Sequence, residues 1–154
     1  MIYRKIHFIG AGGVGVSGLA HIALDLGCDI TCSDAADSPV FETLRQHVAE
    51  RLSDSDTRCR IGHSPLAVGT ELVVYSSAVP ESDPERSEAF SKGIPQMRRG
   101  DFLNHLALEF PIRIAVSGSH GKTTTSAMIA TARFVFMPQI IPQLRTTNFK
   151  PIVI

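Results

Sequence analysis

Along the first two thirds of the chain, short apolar runs alternate with segments that place an apolar residue at every third or fourth position. Lys5–Ile9 is an apolar run that breaks into Gly10, Gly12, Gly13 and Gly15, the pattern of a strand entering a tight turn. Over residues 16–26 the positions Leu19, Ile22, Ala23 and Leu26 fall on one helical face, and Gly27 stands where a helix ends in the left-handed conformation. A second strand is predicted over 29–33. Asp37, Ser38 and Pro39 then open a helix whose inner face carries Val40, Leu44, Val48 and Leu52. Residues 51–57 read as charged loop, 59–61 as a short strand, and Gly62-His63-Ser64-Pro65 as a turn.

Leu72–Tyr75 is a short apolar run closed by Ser76, Ser77 and Ala78, as in a buried parallel strand with small residues at its carboxyl end. A helix over 84–92, a strand over 94–97, and a helix over 101–109 behind Arg98, Arg99 and Gly100 continue the alternation. A strand over 113–116, a loop and a helix follow. This order predicts an α/β fold: a Rossmann-like doubly wound parallel sheet with right-handed crossovers.

At 154 residues the chain has room for one domain with a substantial core. No uninterrupted apolar run is long enough for a membrane span, and the first apolar run is cut by glycines rather than by a cleavage site. A cytoplasmic protein is therefore expected, with no membrane or nucleic-acid partner. The three cysteines, Cys28, Cys32 and Cys59, lack C-x-x-C spacing, which predicts buried thiols rather than a disulfide framework or zinc site. The net charge of zero hides an asymmetry, because all 15 acidic residues precede residue 110 while 5 of the 15 basic ones follow it. The segment around 117–125 is consequently cationic, which suits an anionic ligand.

Two stretches carry the chemistry. Gly10, Gly12 and Gly15 fit G-x-G-x-x-G: the first permits the turn, the second lets backbone approach a phosphate, and the third lets helix pack on strand. A diphosphate then sits on the N-terminus of the helix. Asp34, at the end of the second predicted strand, is placed to hold a ribose hydroxyl or to cap a loop, and His63 to reach a ligand at the sheet edge. The second stretch is Ser117-Gly118-Ser119-His120-Gly121-Lys122-Thr123-Thr124-Thr125, a P-loop variant with Val116 where the strict motif has glycine. Its backbone N–H groups suit phosphate oxygens, Lys122 the terminal phosphates, and the Thr123 hydroxyl a Mg²⁺ ion.

With Ser33-Asp34, Gly62-His63, Ser76-Ser77-Ala78-Val79-Pro80, Arg98-Arg99 and residues 115–125 in this order, the sequence resembles the Mur ligase family from residue 5 to about 130. The resemblance implies a UDP-N-acetylmuramate-binding domain over 1–110, the first strand, P-loop and helix of a truncated ATP-binding domain over 111–133, and an atypical tail over 134–154. It also implies ATP-dependent amide bond formation in cytoplasmic peptidoglycan precursor synthesis, in which a carboxylate of UDP-N-acetylmuramate is phosphorylated and then attacked by the amine of L-alanine. Carried over by motif, Gly10, Gly12, Gly13, Val14, Gly15 and Ser17 would face the UDP-sugar, with Asp34, His63, Ser76, Ser77 and Ala78 lining it. Gly118, Ser119, His120, Gly121, Lys122, Thr123 and Thr124 would bind ATP, Lys122 as the catalytic cation and Thr123 as a Mg²⁺ ligand.

The chain departs from the family after residue 133, where Pro138, Pro142 and Pro151 punctuate an apolar stretch without helical period. The tail is expected to pack loosely. No acid follows Lys122 to complete a metal site, so the chain is expected not to catalyse alone. Two further readings stand beside this one: a UDP-sugar-binding module without catalysis, and an NAD-dependent oxidoreductase domain. Gly10 to Gly15 and Asp34 suit the latter, while the second loop does not.

Overall fold

A computed structural model of the protein describes residues 2–52, 54–111, 113–140 and 152–153. The chain divides into two compact units, Met1–Leu106 and Ala107–Ile154.

The first unit is built on five parallel strands: β1 (Lys5–Ile9), β2 (Asp29–Asp34), β3 (Cys59–Ile61), β4 (Leu72–Tyr75) and β5 (Gln96–Arg98). Their order in the sheet is β3-β2-β1-β4-β5. The chain winds outward from β1 through β2 to β3, then returns to the other side of β1 to place β4 and β5. The reversal between β1 and β4 leaves a crevice at the carboxyl ends of those strands, where open α/β sheets take their ligands.

Between the strands run α1 (Val14–Asp25), α2 (Pro39–Arg51), the single turn α3 (Ser55–Arg58) and α4 (Pro84–Ser91), and α5 (Arg99–Ala107) follows β5. Local signals explain their ends. Gly27, at φ +84°, closes α1 as the 27 N–H reaches Leu24 O and the Cys28 N–H reaches Ala23 O, both at 3.0 Å. Ser38 caps α2 by accepting the Phe41 N–H at 3.0 Å, with Pro39 in the first turn. Asp83 caps α4 in the same way, and Pro84 again follows the cap.

Strand alternation gives the sheet two unlike faces. Ile6, Phe8, Ile30, Cys32, Leu72 and Val74 share one face and are buried, with Phe8 edge-on to Phe102 of α5 at 5.6 Å. On the opposite face Ile9, Val73 and Tyr75 pack with Leu66 and Ala89 of α4. That second face also carries a polar row, buried His7 and Ser33 with half-buried Thr31, in neighbouring registers of β1 and β2.

Several expected boundaries shift. Helix α1 begins at Val14 rather than 16, because Gly13 already serves as its N-cap. On α2 the buried face is Phe41, Leu44 and Val48, while Val40 and Leu52 are half-buried. The Ser38 cap fixes the helical phase and turns Phe41 inward. The fifth strand is Gln96–Arg98, the expected 51–57 loop overlaps α3, and the strand expected over 113–116 is only the two residues of β6 (Arg113–Ile114).

In the second unit α6 (Lys122–Ile140) follows the P-loop variant, and β7 (Ile152–Val153) pairs in parallel with β6. The tail thus contributes regular structure that its prolines argued against. Pro138 falls within α6, which runs on to Ile140. Pro142 and Pro151 lie outside the described residues. Among the described residues, no helix is long and apolar enough to cross a membrane.

Candidate ligand-binding site

The loop after β1 is laid over the end of β2 by two hydrogen bonds, from Gly10 N–H and Ala11 N–H to Ser33 O at 2.9 and 3.0 Å. Gly10 sits at φ +76°, and a Cβ there would lie 3.0 Å from Ser76 Cβ, so this glycine answers both a left-handed turn and the close passage of β4. Gly12 has a different reason from the one its motif suggests. A Cβ at Gly12 would stand 2.9 Å from Asp34 Cγ, because its N–H donates to Asp34 Oδ2 at 2.7 Å. Asp34 Oδ1 accepts the Ala36 N–H at 3.1 Å. The aspartate therefore ties the glycine loop to the end of β2.

Gly15 likewise opens space for a side chain rather than for the sheet. A Cβ there would meet Arg99 Cδ at 2.8 Å and Nη1 at 2.9 Å. The Arg99 guanidinium thus rests on the first turn of α1. Gly13 offers no side-chain cap; the Val16 N–H turns back to Gly13 O at 3.1 Å, while the Val14 and Gly15 N–H groups lie at the open end of the helix. The open donors and the arginine together give this end of α1 a positive potential.

Below the loop, Glu85 reaches from the first turn of α4 into the polar row. It is 1% exposed; Oε2 accepts the Ser33 hydroxyl at 2.6 Å and Oε1 the Ser64 N–H at 3.0 Å. His7 Nε2 stands 3.5 Å from Oε1, and His7 Nδ1 pairs with Thr31 Oγ1 at 2.8 Å. Burial opposes ionisation of Glu85, but the His7 and Ser33 hydrogen bonds, the His7 charge and the Ser64 N–H outweigh it and hold the carboxyl below the usual range. His63, half-exposed, completes the chain, with Nδ1 3.4 Å from Asp83 Oδ2 and 3.8 Å from Glu85 Oε2. These three ligand types fall within 4.8 Å of one another, a spacing that suits a cation. Three of the four carboxylate oxygens already accept hydrogen bonds, however: Asp83 Oδ1 caps α4 at Glu85 and Arg86, and both Glu85 oxygens accept from Ser33 and Ser64, while Asp83 Oδ2 faces His63. The trio anchors the turn at 62–64 to α4.

A cavity of about 560 Å³ opens above this network. Gly10, Gly13, Asp34, His63, Ser76 and Ala78 line it, together with Val79, Asp83 and Glu85. The structure therefore gathers these six residues, drawn from four strand ends, around one space. Gly12 is covered by Asp34, Gly15 faces Arg99, and Val14 is exposed on the first turn of α1. Ser77 is exposed beside the cavity rather than in its lining. Ser17 does not reach a ligand surface, for it is buried one turn into α1. Sequence reading passed over Glu85, Asp83 and His7. A histidine in mid-strand opposite a threonine, with a serine two residues further along the threonine's strand, was the available signal.

In the second unit, Gly118 at φ +155° and Gly121 at φ +75° bend the loop ahead of α6. Lys122 Nζ folds over it, donating to Gly118 O at 2.6 Å and approaching Ser119 O at 3.4 Å. The His120 ring pairs with Ser119 Oγ at 3.2 Å, and Thr123 and Thr124 are exposed on the first turn. A cation held over a loop by that loop's own carbonyls, ahead of a helix N-terminus, fits a phosphate chain. For a divalent metal the loop offers the Thr123 hydroxyl.

A parallel sheet with a glycine loop at its reversal, followed by a second glycine loop that leads into a helix, places the protein in the α/β class. Residues 5–111 match the profile of the Mur ligase family, catalytic domain, and the chain belongs to that family. It is 42% identical over 152 residues to a UDP-N-acetylmuramate–L-alanine ligase of a Sulfurihydrogenibium species, covering 98% of this chain and 29% of the relative. A ligase of the same name from Aquifex aeolicus is 44% identical over 128 residues, 82% of this chain and 26% of that protein. Among solved structures, UDP-N-acetylmuramate-alanine ligase from Thermotoga maritima superposes with a TM-score of 0.71 at 29% identity, over 84% of this chain and 29% of that one. A murein peptide ligase from Psychrobacter arcticus gives 0.68 at 28% identity, over 85% and 26%. The chain spans less than a third of the length of these relatives.

Proposed function

We propose that this chain is the UDP-N-acetylmuramate-binding portion of a cytoplasmic UDP-N-acetylmuramate–L-alanine ligase, leading into its ATP-binding loop. The observation that carries the reading is the cavity at the ends of β1, β2 and β4, with an uncapped α1 N-terminus and Arg99 beside it. The diphosphate belongs on the α1 side. The uridine and sugar belong in the cavity, with Gly10, Gly13, Asp34, His63, Ser76 and Ala78 around them, while Gly12, Val14, Gly15 and Ser77 shape its rim.

Gly118 to Thr124 then cradle the phosphates of ATP, with Lys122 neutralising the terminal one and Thr123 offering its hydroxyl to Mg²⁺. ATP with Mg²⁺ supplies the phosphoryl group that activates the sugar's carboxylate for attack by L-alanine. What these residues contribute is orientation and charge neutralisation.

The Rossmann-like loop also suits a dinucleotide, so the deciding experiment compares ligands. Saturating UDP-N-acetylmuramate is expected to raise the thermal midpoint, by about 2.7 kcal/mol of stabilisation at a hundred times Kd. NAD is expected to leave it unchanged. A rise with NAD and none with the UDP-sugar would overturn the reading.

A further inference from the structure

We propose that Cys32 and Cys59 are an oxidation site, closing to a disulfide that staples the edge strand β3 to β2. The two residues stand directly opposite each other in the parallel β2–β3 register, so their side chains leave the same face of the sheet. Their Sγ atoms are 2.6 Å apart, and both residues are buried, at 1% and 2% exposure. Neighbouring strands run about 4.8 Å apart, inside the Cα separation of roughly 4.4–6.8 Å that disulfides span. No backbone movement is needed to bring the sulfurs together.

The two thiols are not equivalent. The Cys32 contact lowers the Cys59 thiol, burial opposes this, and Arg45 and Arg58 add to the lowering. Cys32 is held well above its usual value by the same contact and by burial. Cys59, on the edge strand and under the positive charge of both Arg45 and Arg58, is assigned as the nucleophile and Cys32, on the inner strand, as the resolving thiol. With a peroxide as oxidant, the Cys59 thiolate attacks one peroxide oxygen, the O–O bond breaks, and one water leaves after protonation. Cys32 then gives up its proton and attacks Cys59 Sγ, the S–O bond breaks, and a second water leaves. Two thiols and one peroxide thus become one disulfide and two waters.

Access for the oxidant comes through β3. This strand has three residues, is paired on one side alone, leaves Arg60 and Ile61 exposed, and follows the single turn α3. Such an edge opens locally at lower cost than the whole fold. The staple would fix the spacing between Asp34, at the end of β2, and the Gly62–His63 turn, which are already joined by the Gly62 N–H to Asp34 O at 2.7 Å.

The test treats the full chain with hydrogen peroxide, quenches it, and counts thiols after denaturation, with a non-reducing peptide map. The expected result is loss of two of the three thiols, a mass lower by two hydrogens, and one linked peptide pair holding Cys32 and Cys59. Dithiothreitol should restore all three. Amide exchange at Arg60 and Gly62 should slow in the oxidised form. Cys28→Ala should behave as wild type, and Cys59→Ala should abolish the link. A disulfide through Cys28, a covalent dimer, or Cys59 sulfinic acid with Cys32 still reduced would overturn the proposal. The wild-type map needs no variant to fold.

Discussion

Replacing Glu85 with alanine tests whether the buried polar row holds the first unit together. The carboxylate accepts the Ser33 hydroxyl at 2.6 Å and the Ser64 N–H at 3.0 Å, and it faces His7 Nε2 at 3.5 Å. Each buried donor left without its acceptor costs about 1–3 kcal/mol. Ser33 Oγ retains a distant contact to His7 Nε2 at 3.5 Å, so the sum falls near the low end of that range for each group. The expected loss is about 3–5 kcal/mol, as for other buried pairs broken from one side. Glu85→Gln keeps the size and one acceptor, so it should lose about half as much. Urea unfolding followed by circular dichroism at pH 7 measures both. The sign of the pH dependence follows from the lowered carboxyl. Its folded value lies below the unfolded one of about 4.3, so the stability it contributes is present above that pH and fades as pH falls through the folded value. The gap between wild type and Glu85→Gln should therefore narrow below about pH 4. A Glu85→Ala protein within about 1 kcal/mol of wild type at pH 7 would refute the reasoning, since a cost that small falls at the bottom of the range for one unmet buried group.

Gly12→Ala would place a methyl 2.9 Å from Asp34 Cγ, and should cost about 1–3 kcal/mol, recovered in part by Asp34→Ala in a double-mutant cycle; additivity would place the strain elsewhere. Arg99→Ala should leave the urea midpoint alone and weaken UDP-N-acetylmuramate by calorimetry about tenfold or more, the loss of one charged hydrogen bond of about 1.5–3 kcal/mol; unchanged affinity would move the diphosphate away from α1. His21 and His47 bring their Nδ1 atoms to 2.6 Å between α1 and α2, near Asp25 and Arg51, and burial and His47 hold His21 down while Asp25 opposes them. The contribution of His21 should be present above about pH 6.5 and fade as pH falls through its folded value, a slope that His47→Gln should flatten in urea titrations between pH 5 and 8.

The sheet was readable because each strand announces itself in a different way. Lys5–Ile9 ends at glycines, Leu72–Tyr75 is wholly apolar, and both lie at the centre of the sheet, buried on their two faces. Edge elements were harder. Gln96–Arg98 carries a charge and a polar group among three residues, and Arg113–Ile114 is two residues long, so neither offers a period to read. The glycines are legible as a motif, but the side chains that press on them are not. Spacing alone cannot reveal that Gly12 is covered by Asp34 and Gly15 by Arg99, residues 22 and 84 positions further along the chain. Glu85 was invisible for the same reason: a glutamate in a first helical turn is ordinary, and only the fold brings it beneath Ser33.

The charge around the cavity also bears on how an anionic ligand enters it. Asp34, Asp83 and Glu85 all line the space, which by count alone would repel a nucleotide diphosphate. Each of those carboxylates is already committed to backbone or hydroxyl donors: Asp34 to Gly12 and Ala36, Asp83 to the first turn of α4, Glu85 to Ser33 and Ser64. Hydrogen bonds of that kind spread the negative charge into the loops they hold and leave the lip near α1, with its uncapped N–H groups and Arg99, as the positive end of the site. On the proposed reading the ligand is therefore oriented before any contact to its base is made. The diphosphate is drawn to α1, the neutral uridine is left to face the acidic side, and the sugar's own carboxylate is turned away from Asp34, Asp83 and Glu85 by like charge.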